Sequence, residues 1–191
     1  MLNFVAIDFE TATSYRHSVC QVACVTVIDG KIVNKFSSLV RPLNNEYNGR
    51  NIAIHGIHPY HTKDAKSFPE VFNSLILPEI RKVQALVNFT DKYLVAHNAG
   101  FDRSVMSKAL EFYKLNEIGI VEILSPSVWS CTHLLYRSKG FETTKLNILC
   151  EHFKIPLQHH DALSDAYACT YLYLKHLKDL QLIEEKNSET N

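Results

Sequence analysis

The stretch Phe4-Val5-Ala6-Ile7-Asp8-Phe9-Glu10 constrains this chain most. Its apolar run reads as a strand in the middle of a sheet, yet it carries two acids. Strand side chains alternate between faces, so Asp8 and Glu10 share one face, about 7 Å apart along the backbone. Phe4 and Ala6 precede them on that face, and Val5, Ile7 and Phe9 take the other. Two unpaired carboxylates at the end of a buried strand repel each other and cost on the order of several kcal/mol in desolvation. A cation removes that cost, which makes the pair a candidate divalent-metal site.

The rest of the chain supplies a setting for that strand. Residues 3–9 read as the first strand and the β-branched run 19–28 as the second. Asp29-Gly30 is a two-residue hairpin signal, so residues 31–40 form a third strand antiparallel to the second. Residues 41–66 are rich in Pro, Asn, Gly and His and read as a long loop, of the kind that is often functional. Ser67 caps a predicted helix from about Phe68 to Lys82, with Pro69 in its first turn and a kink at Pro78. Short strands follow at 93–97 and 128–131, with a helix over 101–115 between them and a loop at 116–127 that receives no role. Two helices, 144–153 and 162–182, close the domain, and residues 183–191 are a polar tail expected to fray. Hairpin strands followed by strands alternating with helices predict an α/β domain with a mixed sheet and a central first strand.

Composition narrows the class. At 191 residues one domain is expected, spanning 1–182, with 46% hydrophobic and 21% charged residues as in ordinary globular proteins. No apolar run approaches the roughly 20 residues of a membrane span. Met1 leads almost directly into the first strand without a basic n-region, so a secretory signal is not expected. The five cysteines, 20, 24, 131, 150 and 169, are odd in number and lack CxxC spacing; they read as reduced thiols of a cytoplasmic protein. The formal net charge is zero, which does not advertise a nucleic-acid binder. Residues 179–191 hold four acids and one lysine, so of the 20 acidic and 20 basic residues 16 and 19 remain in the body. If four of those acids hold metal, the remaining surface is basic and compatible with a phosphate backbone.

Two further segments carry chemistry. Ala96-His97-Asn98-Ala99-Gly100-Phe101-Asp102 runs from a strand end through a glycine turn into a helix, the place where open α/β sheets bind ligands. Asp102 read alone is a first-turn acid favoured by the helix dipole. In His159-His160-Asp161-Ala162-Leu163-Ser164-Asp165-Ala166, Asp161 is a natural N-cap and Asp165 lies one turn into the helix. Its apolar neighbours argue for burial of Asp165. His160 cooperates with it only from the preceding loop.

Together these pieces resemble the DEDDh branch of the DnaQ-like 3′–5′ exonuclease superfamily, which includes the proofreading epsilon subunit of bacterial replicative polymerases. Asp8-Phe9-Glu10-Thr11 is similar to the first motif, and His97-Asn98-Ala99-x-Phe101-Asp102 to the second. His160-x-Ala162-x-x-Asp165-Ala166 is similar to the third, and Ile54-His55-Gly56-Ile57 to a short element of many members. Order and spacing agree over residues 3–175. The resemblance implies a ribonuclease H-like fold with a five-stranded mixed sheet flanked by helices. It implies two divalent cations, Mg²⁺ or Mn²⁺, with Asp8 bridging both, Glu10 and Asp165 completing the first and Asp102 holding the second. It makes His160 the general base; His159 is the nearest rival, one residue too far from Asp165. Hard carboxylate oxygens suit these cations, and a histidine titrates where a water proton must be taken at neutral pH.

By the same resemblance, Thr11 and Ala12 lie beside the terminal nucleotide. Phe101 and the His55-Gly56-Ile57 turn wall its base, and His97 and Asn98 contact the scissile region. The plainer readings make Phe101 a core residue and His97-Asn98 the close of a turn. The implied reaction releases nucleoside 5′-monophosphates from a single-stranded or frayed DNA 3′ end, in proofreading or repair, with a polymerase or repair protein as partner class. An exoribonuclease of the same fold, or a binding module without hydrolysis, is the alternative. The Ile-His-Gly-Ile element leans toward DNA, and a module that had lost hydrolysis would be expected to lack one of the five site residues.

Overall fold

In the computed structural model, which describes residues 2–88, 90–115 and 120–189 with side chains to 182, the first apolar segment forms strand β1, Phe4–Thr11. β2, Val19–Ile28, and β3, Lys31–Leu39, follow as an antiparallel meander. The Asp29-Gly30 turn has φ of 49° and 73°, both in the left-handed region that a tight hairpin of this hand requires. β4, Leu94–Ala96, and β5, Trp129–Cys131, lie parallel to β1 on its other side. The five-stranded order is β3-β2-β1-β4-β5, so β1 is central, as the sequence predicts.

Strand alternation sorts the core into two layers. Val5, Ile7 and Phe9 face a layer with Phe68, Phe72, Ile80, Val105 and Met106. Phe4 and Ala6 face the last helix through Ala162, Ala166, Cys169 and Tyr173. Each large side chain so buried contributes about 1.5–3 kcal/mol. Asp8 and Glu10 therefore emerge on the face of the last helix, at its N-terminal end.

The helices are α1, Gly49–His55; α2, Pro59–Thr62; α3, Phe68–Val71; α4, Leu77–Gln84; α5, Ala99–Phe112; α6, Thr132–Ser138; α7, Leu146–Phe153; and α8, Ala162–Glu189. Three differences from the sequence reading have physical causes. The predicted loop at 41–66 contains α1 and α2. Asn48 caps α1 by accepting the Asn51 N–H, and Gly56 ends it at φ 71°, so residues read as loop formers are helix caps. Pro78 cannot donate to Ser74, and the chain takes a π turn over Phe72–Ile76 before it instead of a simple kink. α6 buries only Thr132 and Tyr136, too short an apolar stripe for the sequence pattern to mark it as a helix.

The 116–127 segment is described from 120 onward as two short 3₁₀ turns, anchored where Trp129 Nε1 donates to the Ile123 carbonyl at 2.7 Å. Residues 116–119 of that expected loop lie outside the described residues. The polar tail read at 183–191 coincides with the end of α8 and with 190–191, which also lie outside them. Among the described residues no helix is long and apolar enough to cross a membrane.

Candidate active site

The site is built where the ladder between β1 and β4 stops. β1 pairs with β4 only as far as Ala6 and Val95, and β4 ends at Ala96. Val5 N–H still donates to the Tyr93 carbonyl on that side. Three residues past the last pair, Phe9 N–H has no strand to meet, and Asp102 Oδ1 accepts it at 3.1 Å. Asp102, in the first turn of α5 and 3% exposed, thus substitutes for the missing strand and is locked against β1. A register shift at Glu10/Thr11 re-aims the end of β1 at the same crevice.

A cleft of about 510 Å³ opens there and is lined by Asp8, Glu10, Asp102 and Asp165 together. Their mutual field is strong. Burial, then Asp102, Asp165 and Glu10, hold the Asp8 carboxyl well above its ordinary range. Burial, then Asp165 and Asp102, push Glu10 up to about 8. Asp102 is pushed up to about 7 by burial, with the Phe9 N–H and the Arg16 charge pulling it down. Burial raises Asp165 too, against the pull of His159 and His160. Among the described residues no lysine or arginine pairs with any of the four; the sole ion-pair partner is His159, on Asp165. Four oxygen-donor acids that line one cleft and suppress one another's ionisation have the chemistry of a hard divalent-cation site, and among the described residues His159, His160 and Asp165 bring ligand atoms within 4.8 Å of one another.

The loop before α8 brings in both histidines. Asp161 caps the helix by accepting the Ser164 N–H at 2.9 Å, as its residue type predicts. His160 lies at φ 66° and gives its backbone N–H to Asp165 Oδ2 at 3.2 Å. His159 places Nδ1 3.2 Å from the same oxygen, and the two rings stack at 4.0 Å. The rival base is therefore the ring that touches Asp165, while the His160 ring nitrogens have no hydrogen-bond partner among the described residues.

The other expected contacts divide. Thr11, His55, Asn98 and Phe101 line the cleft. Ala12 and Ile57 do not: both are buried against Cys20, because the turn after α1 packs on the β1–β2 layer, and Ile54 lines the cleft instead. His97 lines it with its ring, but both nitrogens are engaged. Its Nε2 donates to the Thr144 carbonyl at 2.9 Å, so Nδ1 accepts the Thr132 hydroxyl at 2.9 Å. Burial lowers its pKa to about 4, and it serves as a neutral strut.

Sequence reasoning missed four groups. Asn51 donates to the Thr11 carbonyl at 2.6 Å and, with His55, fastens α1 to the end of β1. His133 meets the Thr144 hydroxyl at 2.7 Å and, with His97, holds the 144–147 segment against the cleft. Lys145 and Asn147 line the cleft from that segment. The one local signal was Asn48 three residues before Asn51, a capping pattern inside the presumed loop.

A family model described as an exonuclease matches residues 5–173 of this chain. The chain is 31% identical over 179 residues to the DNA polymerase III PolC-type of Bacillus subtilis (strain 168), covering 92% of this chain and 11% of that protein. It is 30% identical over 180 residues to exodeoxyribonuclease 10 of Escherichia coli (strain K12), covering 88% of this chain and 66% of that one. The chain thus spans about a tenth of the PolC-type relatives it matches. Among solved structures, exonuclease X in complex with 5′ overhanging duplex DNA aligns with a TM-score of 0.64 at 28% identity, covering 92% of both chains. The nuclease domain of 3′hExo, a DEDDh family member bound to rAMP, shares the fold with a TM-score of 0.73 at 20% identity, covering 93% of this chain and 92% of that one.

Proposed function

Because the chain belongs to this exonuclease family, we propose that it is a metal-dependent 3′–5′ exonuclease that shortens DNA from a single-stranded or frayed 3′ end. The observation that carries this is the convergence of Asp8, Glu10, Asp102 and Asp165 on one cleft, where among the described residues no lysine or arginine is ion-paired to them and only His159 is, on Asp165. Asp8, Glu10, Asp102 and Asp165 would hold two divalent cations, Mg²⁺ or Mn²⁺, with Asp8 contributing to both. Bound there, such a pair stabilises charge on both the attacking and the leaving oxygen of an in-line displacement at phosphorus.

The chain's own residues do the rest. Asp102, fixed by the Phe9 N–H, and Asp8, fixed by the central strand, hold the acidic floor rigid. His160 accepts the proton of the attacking water at a free ring nitrogen, and partial desolvation and the neighbouring His159 lower its pKa. His159, pinned on Asp165, keeps the loop at the rim. Thr11, His55, Asn98 and Phe101 wall the terminal nucleotide, and His97 holds the 144–147 segment that faces it. The product is a nucleoside 5′-monophosphate.

The name of exodeoxyribonuclease 10 supports DNA as the substrate, and the PolC-type relatives support a polymerase as partner class. The test is digestion of labelled DNA and RNA oligonucleotides of matched sequence in Mg²⁺ and in EDTA. Mononucleotide release from DNA in Mg²⁺ alone is expected. Release that survives EDTA, or that favours RNA, refutes the corresponding part.

A further inference from the structure

The connection between β1 and β2, residues 12–18, forms an ordered rim beside the cleft. The Ser18 hydroxyl accepts the Thr13 N–H at 3.0 Å and donates to the Tyr15 carbonyl at 2.6 Å, and Tyr15 N–H donates to the Thr13 hydroxyl at 3.2 Å. These bonds close the loop on itself. Two ring contacts then dock it on α5. His17 stacks on Phe112 at 4.1 Å with the planes 3° apart, and the Arg16 guanidinium carbon lies 4.1 Å from the centre of the Phe101 ring.

Arg16 is the unusual member. It is exposed, yet it is held over a ring that lines the cleft, one residue from Asp102. No acceptor among the described residues takes any of its N–H donors. A guanidinium stacked on an aromatic face keeps its donor edge open, and that planar fork matches the oxygens of a phosphodiester. A lysine at this position could supply the charge but neither the stack nor the fork. The other ordered parts of the rim have a structural use: His17 docks the loop and Ser18 closes it.

We propose that Arg16 binds the phosphodiester next upstream of the scissile one, where the nucleic-acid strand leaves the cleft over Phe101. This rests on the exonuclease function proposed above. Arg16 then sets the affinity for a strand rather than for its terminal nucleotide, and makes the enzyme prefer a polynucleotide to a mononucleotide ester.

Two measurements on Arg16→Ala and Arg16→Lys test this. The first is anisotropy of a labelled single-stranded DNA with Ca²⁺ in place of Mg²⁺. Arg16→Ala is expected to weaken binding about tenfold and to reduce the slope of log Kd against log salt by about one. Arg16→Lys is expected to restore the slope but only part of the affinity. The second is hydrolysis in Mg²⁺ of the DNA and of the p-nitrophenyl ester of thymidine 5′-monophosphate, which has no upstream phosphate. KM for DNA should rise with kcat held, while kcat/KM for the ester and its half-saturating Mg²⁺ concentration stay within about twofold. Unchanged binding and slope overturn the proposal. So does an equal loss on ester and DNA, which would mean that Arg16 acts only through Asp102. If neither substrate is cleaved by the unaltered protein, the exonuclease function fails, and the anisotropy arm still decides what Arg16 binds.

Discussion

The floor of the cleft and the loop over it are built in opposite ways. The floor acids come from the central strand and from the first turns of two helices, α5 and α8, with Asp102 bonded to the Phe9 backbone and Asp165 5% exposed. The loop carries His159 and His160, both exposed, on a segment held by the Asp161 cap and by Asp165 itself. A floor that must keep like charges together against repulsion needs the rigidity of a sheet. A group that must exchange a proton with water needs solvent access, and an exposed loop supplies it at little cost in packing.

Removing the floor should have the largest effect. Asp8→Asn or Asp102→Asn is expected to lower kcat/KM on a 3′-labelled oligonucleotide on the order of 10³-fold or more. Melting in EDTA should at the same time stay level or rise, because one of four repelling carboxylates is gone. A variant that keeps activity would break the floor's assigned role. Next comes the loop. His160→Ala is expected to lose about 10²–10⁴-fold in kcat, the usual contribution of a general base, and His159→Ala far less. The reverse ranking would make the ring already seated on Asp165 the working base.

The floor's charge also predicts a pH dependence of stability. With Glu10 raised to about 8 and Asp102 to about 7, the folded chain keeps protons that the unfolded chain has released. The unfolded state therefore binds fewer protons between about pH 4 and pH 8, and stability falls as pH rises through that window. In EDTA, Tm should drop from pH 5 to pH 8, and Mg²⁺ should recover most of the loss at the alkaline end. A flat profile would show that the four acids do not converge in solution. The smallest effect belongs to a strut. His97→Ala removes the Nε2 donor from the Thr144 carbonyl, which His133 Nδ1 also approaches at 3.3 Å, and is expected to cost about 1–2 kcal/mol in urea unfolding. Activity should change chiefly in KM, because the 144–147 wall shifts while floor and loop stay in place.

Legibility in the sequence followed the range of the interaction. Asp8 and Glu10 could be placed on a face because alternation along a strand is local, and the hairpin at Asp29-Gly30 because two residues decide it. The cap at Asp161 was equally local. Asn51 could not be found that way: its partner Thr11 is 40 residues distant, and its neighbourhood of Asn, Gly and Pro resembles a loop. The packing of Ala12 and Ile57 was hidden for the same reason. Motif order put them near the site, but which side of a turn faces the cleft is decided by packing against Cys20.

By itself, then, the sequence determined the α/β class, the central place of β1 and the shared face of Asp8 and Glu10, since periodicity acts over a few residues; Asp102 and Asp165 were named through motif resemblance. Tertiary structure alone decided that Asp102 completes the open edge of β1, that the His159 ring rather than the His160 ring rests on Asp165, and that Arg16 lies over Phe101. Each of these depends on which distant segment ends beside which. That is set by where strands stop and how helices pack, and no local pattern encodes it.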